Sequence, residues 1–139
     1  MNYQQRLGAR AEYLQAEAAR VKLSSTLAEK FPELKSLSVR LTCFTPLGLT
    51  PQSEIKYTVN LAYAKSLFRF PCPNNECIGG NFDLSEELAR AVADRHHTAS
   101  GELRCRGWQS KTAIDLVYCD HVLRYQLTLE FAEKKANPG

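Results

Sequence analysis

The clearest pattern in the chain is a two-residue alternation near its end. In "HVLRYQLTLEF", Leu123, Tyr125, Leu127, Leu129 and Phe131 take every second position, with mainly polar or charged residues between them. Successive side chains of a strand point to opposite faces, so this segment predicts a strand with one buried side. The same period runs through "LSVRLTCF", where Leu37, Val39, Leu41 and Cys43 share a face, and through "EIKYTVNL", with Ile55, Tyr57, Val59 and Leu61. Between those two, Pro46, Gly48 and Pro51 in "TPLGLTPQS" predict an irregular connection. "KSLFRFPC", "GELRCRG" and "TAIDLVYC" supply shorter strand-like segments.

The first section has a different period. Leu7, Ala11, Leu14, Ala18 and Val21 recur at three- and four-residue intervals in a stretch rich in Ala, Glu, Gln and Arg. That composition predicts a long helical segment over 1–31, broken near Ser24–Ser25 and ending near Phe31, ahead of Pro32. The apolar seam holds too many alanines for a coiled coil, and the helix is expected to lie on the sheet of the domain. A second, short helix is expected to start near Leu84, where Asp83 or Ser85 can cap it and Asp83 and Glu86 have capping-box spacing. Leu88, Ala91 and Val92 would face inward, and the helix would end around His96–His97, before a break at "TASG". Strands, one short helix and strands again, behind a long helix, predict a single α+β domain over 1–139 with a mostly antiparallel sheet.

Cysteines change the picture most. There are 5 of them, an odd set. Cys43 is in phase with three apolar residues and reads as a small buried hydrophobe. Cys72, Cys77, Cys105 and Cys119 each stand at a strand end or beside a turn-forming segment. Four residues separate the first two, and 27 and 13 residues follow in the next intervals. Four thiolates converging on one tetrahedral Zn2+ account for that placement, and such a structural ion would add folding energy. Buried unligated thiols, disulfides, a different ligand set and iron are the alternatives. His121, two residues after Cys119, is the competitor to Cys119 as a ligand, whereas His96 and His97 read as capping or solvent-facing residues. Pro73, Asn74 and Asn75 suit the tight turn, Gly79 and Gly80 allow close passage, and Phe68, Phe70, Ile78 and Phe82 can wall the site.

In a broad architectural sense this four-cysteine layout over 66–132 resembles a zinc ribbon. The resemblance implies a zinc-stabilised surface for protein or nucleic acid and supplies no catalytic residue. The first pair is CxxxxC and the second pair is widely spaced, which departs from the usual ribbon pattern. The helical start and the strands before Leu61 lie outside the resemblance.

Charge and motifs narrow the function less. The net charge is +3, and the basic surplus comes from the first 60 residues, so no strong whole-domain attraction to nucleic acid is implied. With 24% charged residues and no apolar run of about 20 residues, a membrane-spanning helix is not expected. The start of the chain lacks signal-peptide features, and a cytoplasmic location is expected. "YCDHVLRY" places Cys119, Asp120 and His121 in succession, the ingredients of a nucleophile and base. A zinc-bound thiolate would be committed to the metal, and neither an HExxH nor a P-loop signature is present, so the balance is against an enzyme. In "LRCRGWQSK", Arg104, Arg106 and Lys111 can reach phosphates and Trp108 can stack on a base. The leading expectation is a zinc-stabilised protein-interaction or assembly module, with homo-oligomer formation through the N-terminal helix as one form. The alternatives are nucleic-acid binding through the basic and aromatic residues, and a zinc-dependent enzyme or enzyme accessory protein.

Overall fold

In a computed structural model of the chain, the described residues are 2–46, 50–110 and 116–133. Helix α1 spans Tyr3–Leu23. Its start is closed by a reciprocal capping box: the Asn2 side chain accepts from the Gln5 amide at 2.8 Å, and the Gln5 side chain accepts from the Asn2 amide at 2.8 Å. Ser24 adopts extended geometry and ends the helix. One turn follows, α2 (Leu27–Lys30), capped by Thr26 and stopped at Phe31 ahead of Pro32. The expected break and end of the helical section are therefore both present.

The strands are β1 (Leu34–Phe44), β2 (Pro51–Thr58), β3 (Arg69–Pro71), β4 (Asn81–Asp83), β5 (Thr98–Arg104), β6 (Trp108–Ser110), β7 (Leu116–Tyr118) and β8 (Val122–Phe131), with helix α3 (Ser85–Ala93) between β4 and β5. Among the described residues they form one four-stranded sheet in the order β2-β1-β8-β5 and two hairpins, β3-β4 and β6-β7. Every ladder is antiparallel. The fold class is α+β.

Register explains the core. Leu37, Val39, Leu41 and Cys43 pair with Leu129, Leu127, Tyr125 and Leu123, so two alternating patterns land on one face. All eight side chains are buried there. Leu88, Ala91 and Val92 of α3 join the same core cluster, with Leu27, Phe68, Phe82 and Leu84. Burying such side chains contributes roughly 1.5–3 kcal/mol each, which makes the β1-β8 pair the centre of the domain.

Four local expectations differ from what is found. Helix α3 has Leu84 at its cap position with no side-chain cap bond. Asp83, one residue further out, does hold the first amide of the helix, accepting from Ser85 at 2.9 Å, while the Ser85 hydroxyl accepts from the Phe68 amide just ahead of β3 at 2.9 Å. The "TASG" segment is the start of β5 rather than a break. Arg95 with φ 52 turns the chain after α3, and Thr98 and Ala99 then pair with Thr128 and Leu127. On β2, Ile55 and Tyr57 do lie opposite Leu41 and Val39, yet they are 52% and 38% exposed, because β2 is the outer strand of the sheet and Ile55 borders an open cavity rather than closed packing.

The fourth difference concerns α1. None of its residues is buried, and its polar anchors reach the β3-β4 hairpin and the turn between its strands, not the large sheet. The Tyr13 hydroxyl accepts from Asn81 Nδ2 at 2.6 Å. Glu17 pairs with Arg69 at 3.2 Å, and Arg69 also pairs with Asp83 at 2.9 Å. The seam of small alanines gives little apolar area for a sheet to cover, and polar anchors decide where the helix rests.

Candidate metal centre

Two turns present the cysteines. Between β3 and β4, Cys72 and Cys77 bracket the Pro73–Glu76 turn. The Cys77 amide donates to the Asn74 carbonyl at 3.0 Å, and the Cys72 amide to the Gly80 carbonyl at 3.2 Å. The Asn74 side chain accepts from the Glu76 amide at 3.2 Å, which holds the turn. The second pair comes from the far ends of β5 and β7. The Cys105 amide donates to the His121 carbonyl at 2.8 Å, and the Cys119 amide to the Gly107 carbonyl at 2.9 Å. Asp120, φ 52, makes the reversal between β7 and β8, a left-handed position that Asp tolerates better than most residues. The Ile78 and Trp108 backbones bond each other in both directions, at 2.8 and 2.9 Å, and so join the two halves.

The four sulfurs meet inside. All lie within 4.8 Å of one another, with Cys72 and Cys119 3.6 Å apart and Cys77 and Cys105 3.5 Å apart. Four sulfurs about 2.3 Å from one tetrahedral ion would sit roughly 3.8 Å from each other. A disulfide needs about 2.05 Å, and none of the five cysteines is in one. The four are 0–1% exposed. A Cβ on Gly80 would collide with the sulfurs of Cys105 and Cys77, and one on Gly107 would collide with the Cys77 sulfur and come 2.6 Å from the Gly80 Cα. Backbone without side chains passes directly beside the sulfurs, as a tight knuckle around an ion requires. The donor set, the spacing and these glycines fit a metal ion such as Zn2+.

Electrostatics point the same way. Hydrogen bonding with Cys105 is the main cause that pushes the Cys119 thiol far below the usual thiol range and the Cys72 thiol far above it. Sulfurs in mutual contact cannot all ionise unless a cation neutralises them; without one, they share protons. Donors stand ready around them: the Gly107 amide reaches Cys105 Sγ at 3.4 Å and Asn74 Nδ2 reaches Cys119 Sγ at 3.5 Å. Arg10 of α1 donates to the carbonyl oxygens of Cys77 and Cys72, both at 2.8 Å. No sequence period announces that arginine; only the tertiary fold brings it to residues more than sixty positions away.

His121 is buried, with Nδ1 3.2 Å from Cys119 Sγ and 3.2 Å from the Cys119 carbonyl. It stands beside Cys119 and outside the mutually close group, which consists of the four cysteines. The nucleophile–base pair considered from "CDH" is thus brought into contact, although its sulfur is sealed from solvent within the cluster. His97 lies elsewhere, its Nδ1 3.2 Å from the Leu129 carbonyl and its ring edge-on to Phe131. Cys43 is buried in the apolar core, and that burial raises its thiol to about 11. It stays protonated and acts as a small apolar side chain. Phe68, Ile78 and Phe82 are buried and Phe70 packs against the core, its ring 4.9 Å from Phe68.

The basic and aromatic residues are less gathered. Arg104 and Arg106 are exposed and Trp108 is half-buried, with its indole against Gly79. Lys111 lies outside the described residues. Arg69 is engaged with Glu17 and Asp83, and Arg124 with Glu102 at 2.6 Å and with the Phe44 ring. Tyr125 is buried. Among the described residues, Arg69, Arg124 and Tyr125 therefore do not extend Arg104, Arg106 and Trp108 into one open basic and aromatic surface. No described helix is long and apolar enough to cross a membrane.

Fold and site together define an α+β protein with a buried, closed four-cysteine group suited to a metal ion. Compared with models of known families, with curated proteins and with solved structures, the chain matches none.

Proposed function

We propose that the protein is a zinc-stabilised interaction module, with Cys72, Cys77, Cys105 and Cys119 as the ligands of one structural Zn2+. The observation that carries this reading is the convergence of four buried sulfurs, all within 4.8 Å, beside two glycines that leave no room for a side chain. Four thiolates fill a tetrahedral shell and leave no position for substrate or water, so the ion would supply folding energy rather than chemistry. Arg10 and Asn74 would orient the two turns, and the Gly107 amide and His121 would donate to the sulfurs.

The partner side of the reading rests on α1. Leu14, Ala18 and Val21 line a groove of about 390 Å³ together with Pro71 and Arg69 of the hairpin. Tyr3 and Leu7, further along the same helix, are 61% and 41% exposed. A small groove with Leu14 and Val21 in its wall, left open beside the hairpin, suits another protein better than it suits nucleic acid, whose recognition calls for a basic surface.

The test begins with metal analysis of the purified full chain, where one zinc per chain is expected, falling in the Cys72→Ser and Cys105→Ser variants. Partners cross-linked to the wild type should then be lost with Leu14→Arg, a change at a half-buried helix position that leaves the core untouched. Folded protein with no bound metal would end the zinc reading. Salt-sensitive binding to RNA or DNA, abolished by Arg104→Ala and Arg106→Ala, would replace the protein partner with nucleic acid.

A further inference from the structure

The outer edge of β2 has an alternation of its own. Among the described residues no strand pairs with it beyond β1. From Ser53 to Thr58 its register with β1 is regular, the one irregularity falling between Cys43 and Phe44 on β1. The Val59 amide donates to the Leu37 carbonyl at 2.8 Å. Backbone groups on alternate residues of a strand point to opposite sides, so those of Ile55 and Tyr57 face β1, as Val59 does. Those of Glu54, Lys56 and Thr58 face the open edge.

The side chains follow a second alternation. Ile55 and Tyr57 stand opposite Leu41 and Val39 on the face that elsewhere forms the core. They are nevertheless 52% and 38% exposed. Glu54 and Lys56 project from the other face, where Glu54 accepts from Arg40 Nε at 2.9 Å.

We propose that this edge is a self-association surface, at which two copies of the chain pair β2 with β2, antiparallel, about a two-fold axis at Ile55. The charge pattern selects the occupant. With Ile55 on the axis, Glu54 of each copy lies opposite Lys56 of the other, giving two opposite-charge pairs. These are also the residues whose backbone groups face outward, so each pair exchanges both of its ladder hydrogen bonds. The neighbouring registers with the same backbone phase put Glu54 opposite Glu54 or Lys56 opposite Lys56, which repel. Charged residues on an edge strand ordinarily guard it against pairing. Here the order Glu-Ile-Lys makes the guard complementary to its own inverted copy. The exposed Ile55 side chains would meet across the axis, and Tyr57 would cover Ser53 of the second copy. No residue of β2 lines the α1 groove, which stays outside the new interface.

The test uses the mass of the full chain in solution, by light scattering over a range of concentrations, for wild type, Glu54→Lys and Lys56→Glu. Each variant turns both opposite-charge pairs into like-charge pairs and is expected to raise the dimer dissociation constant roughly tenfold to a hundredfold. Glu54→Lys also removes the Arg40–Glu54 bond within the chain, so the deciding sample is an equimolar mixture of the two variants. There, each Lys of one chain meets a Glu of the other, and a heterodimer as tight as the wild-type dimer is expected. A wild type that stays monomeric up to its solubility limit overturns the proposal. So does a dimer indifferent to both substitutions, as an α1 interface would be, or a mixture that fails to restore association.

Discussion

The four-stranded sheet and the cysteine end of the molecule are built on different physics. In the sheet, β1 and β8 run side by side for ten or eleven residues, and each paired position adds ladder bonds and buried apolar area. At the cysteine end the strands β3, β4, β6 and β7 are three residues long, too short to hold together by pairing alone. What gathers them is sulfur, assisted by the Ile78–Trp108 bridge and by Arg10 reaching two carbonyls from α1. The first region can be stable by burial. The second has its four sulfurs and Phe82 in the buried core, and under the proposed function a bound ion would supply the rest of its stability, on which the docked helix would also draw.

The largest effect should come from removing the proposed metal. Structural zinc in small domains binds with about 10–16 kcal/mol of apparent free energy, more than any one side chain contributes. Chelation, or Cys72→Ser, should abolish hydrogen-exchange protection at Cys77, Ile78 and Trp108 while the β1-β8 ladder stays protected. Loss of protection in both together would merge the two regions into one cooperative unit and break the comparison. Acid should release the metal too, because protons compete for thiolates.

Next comes the sheet. Leu127 is 1% exposed between Val39 and Ala99, and Leu127→Ala should cost about 2–5 kcal/mol in denaturant melts. The content of the proposed zinc should not change in the folded protein, since Leu127 pairs with Val39 and Ala99 in mid-strand and not at the strand ends that carry the cysteines. A lowered metal stoichiometry would show that sheet packing sets the cysteine geometry.

A smaller effect is expected at the joint. Arg10→Ala removes two charged hydrogen bonds, worth about 1.5–3 kcal/mol each when one partner is ionised. The expected result is faster proteolysis within α1, with zinc retained and the sheet intact. If zinc were lost, Arg10 would belong to the site itself rather than to its attachment.

The smallest concerns pH. Burial alone would raise the Asp83 carboxyl, but hydrogen bonds from Ser85 and the Arg69 guanidinium outweigh it and hold the group below its ordinary value. A depressed folded-state pKa stabilises above the unfolded value and loses that contribution as pH falls through the folded one. The β3-β4 hairpin should therefore weaken only below about pH 4. Asp83→Asn should remove the acid-side slope and little else, because the pair with Arg69 is partly solvated.

How much of this was legible beforehand varied by residue. The alternations on Leu37–Cys43 and Leu123–Phe131 name a shared buried face, because a period of two assigns every side chain to a side. The break at Ser24–Ser25 and the stop before Pro32 follow from local backbone chemistry. Cys72, Cys77, Cys105 and Cys119 could be grouped because each sits where a strand ends. The fate of Ile55 and Tyr57 was not legible: they repeat the period of the core strands, and only the strand order leaves them uncovered. "TASG" was misread as a break because nothing local reveals a pairing with Thr128 and Leu127 thirty residues away. Asp83 could be read as a holder of the first helix amide, but Ser85, the other candidate, anchors Phe68 instead, since a cap and a loop anchor use the same side-chain oxygens.

The chain by itself determined its periodicities, its helix ends and which sulfurs are free to meet, because these depend on neighbours along the backbone. The tertiary structure alone decided that the sulfurs converge to 3.5–3.6 Å in pairs and that Arg10 crosses to the Cys72 and Cys77 carbonyls. It also decided that, among the described residues, β2 has no partner strand beyond β1. Each of these joins residues distant along the chain, and only the summed strand pairing and burial of the whole fold brings them within reach.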